Sequence, residues 1–388
     1  MSEFSEQAET LADELSSGSS YDFPVTLKRS FQSWHLPRKQ FVRIRQWLDQ
    51  ITKMLDSSSY DRLTYLCLPG LDLLDIRQLH DEICAPRGIP LRFLGFNTEA
   101  NPNSSAQIEL QVSLDAVMKF PHTHTDSYVL HDDICRLANP KSIASRRVEE
   151  VGPFDVVNFD LCTGFGRQAP DAPEDTLYTA LSRLVTIQAR HSRPWLLLLT
   201  TRVGTDHIDR TLLQKLLVLY QRNLDDCSTF ASLSESELGI ERILGVGSPS
   251  EVALPSVYVV SLLKWIASLA LALRPQTAPE LKSVLCYSVS LLESEPDMYA
   301  LAVKFHPRTV APPDSTGISS SVGAILNDCA FATAALHRVC KSTDVGELLR
   351  TKSGLNADMV ASSTALLSSA NFDPEAYRLW LDEDGCAK

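Results

Sequence analysis

Trp195-Leu-Leu-Leu-Leu-Thr-Thr201 and Phe154-Asp-Val-Val-Asn-Phe-Asp160 are short apolar runs that each end in polar residues. Near-continuous apolarity over this length is the pattern of a strand covered on both faces, and therefore of a parallel sheet. Three further runs of the same kind lie upstream: Thr64-Tyr-Leu-Cys-Leu-Pro-Gly70, Leu91-Arg-Phe-Leu-Gly-Phe-Asn-Thr-Glu99 and Ser127-Tyr-Val-Leu-His-Asp132. The segments between them are long enough for helices, so the spacing predicts right-handed βαβ units. Open parallel sheets bind ligands at the carboxyl ends of their strands, which is where these acids and Gly70 fall.

Outward from the strands, the periodicity changes from two to three or four. Residues 41, 44, 47, 48, 51, 54 and 55 are apolar at helical spacing, and Pro37 is a suitable helix start. Leu74, Ile76, Leu79 and Ile83 mark a helix after the first strand, and further helices are expected at about 106–119 and 174–190. After the fifth strand the rhythm becomes helical over 205–226 and 256–273. Ser283–Leu292 and Met298–Phe305 then flank Glu-Ser-Glu-Pro-Asp, a late β-hairpin. Pro307–Gly317 reads as a linker, and 319–382 as helices, the last opening at Asp373-Pro-Glu.

The expected organisation is a flexible acidic tail over 1–21, an α/β domain over 22–307 with a helical insertion at about 205–280, and a helical C-terminal region over 318–388. A net charge of −12 argues against a generally nucleic-acid-coating or membrane-hugging protein, since both favour a basic surface. Nine cysteines are scattered singly without a Cys-x-x-Cys pair, and no signal peptide precedes them. They read as reduced residues of a cytoplasmic protein, with Cys162 a small buried one. The apolar stretch 257–273 is interrupted by Lys264 and reads as a buried helix, not a membrane span.

Five parallel-type strands followed by a late antiparallel hairpin resemble the Rossmann-like sheet of class I S-adenosylmethionine-dependent methyltransferases. The resemblance covers roughly 37–307 and lies in order and spacing more than in motif. It implies that the first-strand loop, here Leu66-Cys-Leu-Pro-Gly-Leu-Asp72, approaches the methionine part of adenosylmethionine through Gly70. This loop has one glycine, and Cys67 stands where the family has an acid in the strand. The resemblance also implies Glu99 (with Asn97 as substitute) for the ribose hydroxyls, Asp132 or Asp133 for adenine, and Asp160 facing the methyl acceptor. The segment after the fourth strand, Asn158-Phe-Asp-Leu-Cys-Thr-Gly-Phe-Gly166, is not the Asn/Asp-Pro-Pro-Tyr/Phe signature of amino-methylating nucleic-acid enzymes. Gly164 and Gly166 allow a tight loop there.

Two other groups carry chemistry. Arg38, Lys39, Arg43 and Arg45, with Trp34, Phe41 and Trp47, form the one strongly basic stretch. Lys39 and Arg43 share a helical face that suits phosphates or, alternatively, a ligand in the pocket; otherwise this is a solvated face, and Arg146-Arg147 is a second basic pair that the fold would have to bring near. His122-Thr-His124 and His131-Asp-Asp133 match no zinc spacing, and no metal site is expected. The functional expectation is a methyltransferase or diverged relative, with nucleic acid as a candidate substrate. The alternatives are a non-catalytic Rossmann-like subunit of a multi-protein assembly, such as a bacterial defence or mobile-element system, and a nucleotide-sensing module.

Overall fold

The inner strands of the central sheet are apolar for a reason visible in the computed structural model: helices cover both of its faces. The structure describes residues 27–166, 168–203, 207, 210–241, 253–274, 276–289, 295–308 and 327–383. The proposed tail and most of the proposed linker lie outside the described residues.

The strands are β1 (Leu63–Cys67), β2 (Leu91–Asn97), β3 (Tyr128–His131), β4 (Val156–Gly164), β5 (Gln168–Ala169), β6 (Ala172–Thr176), β7 (Trp195–Arg202), β8 (Thr277–Tyr287), β9 (Met298–Pro307) and β10 (Thr343–Asp344). Eight of them form one sheet in the order β10-β8-β9-β7-β4-β1-β2-β3, while β5 and β6 make a small separate pair. All neighbours in the large sheet are parallel except β9, which runs antiparallel to both β7 and β8. Leaving out the small pair, the order from β3 is third, second, first, fourth, fifth, seventh, sixth, eighth. This is the α/β arrangement of the Rossmann-like methyltransferase fold, with the chain reversing its direction of travel between β1 and β4.

The helices are α1 (37–56), α2 (74–87), α3 (Ser105–Met118), α4 (Ile143–Val151), α5 (Leu177–Gln188), α6 (Arg210–Asp226), α7 (Ser228–Leu238), α8 (Leu254–Ala272), α9 (Cys329–Cys340), α10 (Val345–Thr351), α11 (Leu355–Ser369) and α12 (Pro374–Glu383). Side chains alternate across a strand, so Leu197 and Leu199 of β7 enter one core with α4, α5, α8 and α9. Leu196 and Leu198 enter the other, with α1, α2, α10 and α11. Local chemistry fixes the helix starts: Ser104, Ser142, Thr176 and Asp344 each accept a backbone N–H from the first turn.

Several boundaries differ from the sequence reading. β4 continues to Gly164, β8 begins at Thr277, and the insertion holds a third helix, α7, whose mixed Ser/Glu composition hides its period. The C-terminal region is not purely helical, because Thr343 and Asp344 pair with Leu285 and Cys286 of β8 at the sheet edge. The reading of all cysteines as reduced is corrected: Cys227, before α7, and Cys329, opening α9, form a disulfide across 102 residues.

α8 is long and apolar enough to cross a membrane, but most of it is buried within this protein. Its Lys264 ammonium donates to Leu219 O at 2.9 Å and to Asn223, so the one charge in the helix is satisfied internally. At the other end of the molecule the described chain closes on itself. Lys28 N donates to Asn371 O at 2.8 Å and Asp373 N donates to Lys28 O at 2.9 Å. Phe31, Leu36 and Leu74 join Phe372, Tyr377 and Trp380 in a third apolar cluster that seals the start of α2.

Candidate functional site

The period-two alternation that builds the sheet also builds a polar cluster at its carboxyl end. Asn158 and Asp160 of β4, Thr200 and Arg202 of β7, and Tyr287 of β8 share the face with Val156, Leu196 and Leu198, beneath α1. α1 meets them with a stripe of polar residues, Lys39, Arg43, Gln46 and Gln50, spaced by three or four and all buried. Gln46 Nε2 donates to Ala300 O and to Ser283 Oγ, both at 2.8 Å. The middle of α1, Arg43–Leu48, is wound as a wider π-type turn, a feature often found at functional sites.

Asp160 is the meeting point. Its Oδ1 accepts from the Lys39 ammonium and, at 2.6 Å, from Thr200 Oγ1. Lys39 also lies over the Trp47 ring, 4.9 Å from its centroid. Burial lowers the Lys39 pKa, and the Asp160 carboxylate opposes that shift. Behind the pair, Asn158 Nδ2 donates to Tyr65 Oη at 2.8 Å, and Tyr65 donates to Asp75 Oδ2 at 3.0 Å. Desolvation raises the Asp75 carboxyl and holds the Tyr65 and Tyr287 phenols well above their ordinary values.

In front of the pair lies a cleft of about 200 Å³, walled by Trp34, Leu36, Arg38, Lys39, Asp160 and Arg202 together with Cys162, Tyr287, Ser288, Val289 and Met298. Arg38 Nη1 donates to Ser288 O at 3.0 Å. Arg202 Nη1 contacts His207 Nε2 at 2.9 Å and pairs with Asp297 at 3.4 Å, while its buried Nε has no partner. Cys162 is exposed, not buried: β4 extends past Asp160, and its alternation brings the thiol to the cleft mouth.

The structure thus brings together Arg38, Lys39 and Asp160. Lys39 and Arg43 are only 5% and 6% exposed, so they turn inward instead of forming a solvated basic face. Arg45 is the exposed member of the run, and Arg147 pairs with Glu150 on α4, against the opposite face of the sheet. Arg202, Tyr287 and Met298 went unread in the sequence, although the Thr200–Arg202 alternation beside Asp160 signals the first of them. Among the described residues no three His, Cys, Asp or Glu side chains converge as a metal site.

Gly70, Glu99, Asp132 and Asp133 do not line this cleft. They lie at the ends of β1, β2 and β3, where the fold places adenosylmethionine, and most of the chemistry there is already used. The ring of Pro69 packs on Gly95, its Cγ 2.9 Å from where a Cβ on Gly95 would stand. Asn97 donates to Pro69 O at 2.9 Å and accepts from the backbone of Glu99 and Ala100 at 2.9 and 3.0 Å. Asp133 is buried and caps Cys135 N at 2.9 Å, and Asp132 accepts from Asp133 N at 2.8 Å. Burial raises the Asp132 carboxyl. Gly70 has open space around it and Glu99 is exposed. Asn97 and Asp133, spent on backbone hydrogen bonds, do not fit the roles that fold would give them toward adenosylmethionine, whereas Gly70 and Glu99 stay accessible.

Fold and cluster define an α/β protein of methyltransferase topology with a charged cleft displaced toward β4, β7 and β8. The chain belongs to the PP_RS20740-like family, whose profile matches residues 28–382. No curated protein matches it. Among solved structures it is similar to one from Listeria monocytogenes assigned to the class I S-adenosylmethionine-dependent methyltransferases. That match has 12% identity and a TM-score of 0.35, and covers 80% of this chain and 69% of the other.

Proposed function

We propose that this chain is a diverged protein of methyltransferase fold that works by binding, with the cleft under α1 as its site, and does not transfer methyl groups. The observation that carries this reading is that Asn97 and Asp133, at the ends of β2 and β3, are spent on backbone hydrogen bonds, with the Pro69 ring packed on Gly95 beside them. A second support is that Lys39, Asp160 and Thr200 come from three separate elements, so the charged wall of the cleft is rigid. Asp160 then sets the charge of the wall and is not a base. A protein partner or small ligand suits this surface better than nucleic acid, because Lys39 and Arg43 are spent inside.

A second reading is adenosylmethionine-dependent methylation, with nucleic acid as one acceptor. It draws on the exposed Glu99 carboxylate beyond β2 and the open space at Gly70. Calorimetric titration with adenosylmethionine and adenosylhomocysteine, repeated on Glu99→Ala, decides between the two. No heat at millimolar ligand is the result expected from the binding reading. Micromolar binding that Glu99→Ala abolishes overturns it.

A further inference from the structure

The cleft carries both signs of charge on one wall. Asp160 uses Oδ1 for Lys39 and Thr200, and its side chain remains 26% exposed. Arg202 uses Nη1 for His207 and Asp297, and a guanidinium has five N–H donors. Thr200 sits beside Asp160 in the β4–β7 register, and Arg202 follows two residues later on the same face, about 7 Å further along the strand. Apolar side chains line the rest of the cleft: Leu36, Val289 and Met298, the last beside Arg202 in the β7–β9 register, together with the exposed Trp34. The volume, about 200 Å³, is below the several hundred cubic ångströms that larger cofactors fill.

We propose that the cleft binds a small zwitterion, an α-amino acid with an apolar side chain. Its ammonium sits on Asp160, its carboxylate on Arg202 and its side chain against Leu36, Val289 and Met298. The backbone register suits such a ligand: Asp160 and Arg202 lie on neighbouring strands two residues out of step, and a zwitterion carries its ammonium and carboxylate on one carbon, each reaching about 2.8 Å further through a hydrogen bond. A simple anion would meet the Asp160 carboxylate, and a simple cation would meet Arg38, Lys39 and Arg202. A zwitterion satisfies both ends.

This inference rests on the binding reading above. The test titrates the full chain calorimetrically with L-leucine, L-methionine and L-phenylalanine, then with N-acetyl-leucine, which lacks the ammonium, and leucinamide, which lacks the carboxylate. Binding of at least one free amino acid, weakened about tenfold or more by either blocking group and by Arg202→Gln, is the expected result. No binding of any free amino acid at millimolar concentration overturns the proposal, as does equal binding of the blocked forms or binding of acetate and phosphate in preference. The ligand-side comparison stands even if Arg202→Gln fails to fold. Adenosylmethionine titrated in parallel separates the two failures: silence from every ligand sinks only the zwitterion, whereas adenosylmethionine binding abolished by Glu99→Ala sinks the binding reading.

Discussion

Pro69 and Gly95 interlock: the prolyl ring occupies the position next to Gly95 that any larger residue would need, with Cγ 2.9 Å and Cδ 3.1 Å from a Cβ built there. Val129 closes the same space from β3 at 3.0 Å. A methyl group at this point must displace a pinned loop, since Asn97 holds Pro69 O. Gly95→Ala is therefore expected to cost about 1–3 kcal/mol, read from the urea midpoint at constant slope. An unchanged midpoint would mean that the β1 loop moves freely.

The Lys39–Asp160 pair predicts a thermodynamic cycle. Asp160→Asn keeps the shape of the side chain but leaves a buried ammonium without its countercharge, which is expected to cost about 3 kcal/mol. Lys39→Met added to Asp160→Asn should recover most of that loss, because the cost comes from the unpaired charge and not from the missing bond. Denaturant unfolding of the two single variants and the double variant measures the coupling, and additive losses would contradict it.

His35 predicts the acid limb of stability. Its ring is buried against Phe372, with Arg43 and Lys28 adding repulsion, and its pKa is lowered from 6.5 to about 3. Between those values the unfolded chain binds a proton that the folded chain does not, so stability falls as pH drops, by about 1.4 kcal/mol per unit. At two units below 6.5 the His35 contribution to the loss is about 3 kcal/mol. Stability measured at neutral pH and again near pH 4.5 should differ by that much more in the native chain than in His35→Phe.

The Cys227–Cys329 disulfide closes a long loop through the insertion and hairpin. Reduction is expected to lower stability by about 2–4 kcal/mol. The comparison is of unfolding midpoints with and without a thiol reductant, and Cys227→Ser should remove the difference between them.

The sheet was legible in the sequence because a strand buried on both faces leaves a continuous apolar run, as Trp195–Thr201 does. The hairpin was legible because β8 and β9 flank an acidic, proline-bearing turn segment. The cleft was not, and α1 explains why. For Lys39 and Arg43 the sequence leaves phosphate, pocket ligand and solvent open, and the tertiary fold buries them, with Gln46 and Gln50, as a polar stripe against the sheet. Helical spacing tells which residues share a face but not which face is covered when both are. β10, two residues long, has no periodic signal at all.

The backbone hydrogen bonds between Lys28 and the Asn371–Asp373 turn make the described polypeptide a closed circuit. The segment around Lys28 and the last described helix cannot separate without breaking these bonds, so their opening is coupled. The segment that leads into α1, and with it the roof of the cleft, is thereby latched by residues more than three hundred positions away, and anything that prises α12 loose also loosens the cleft.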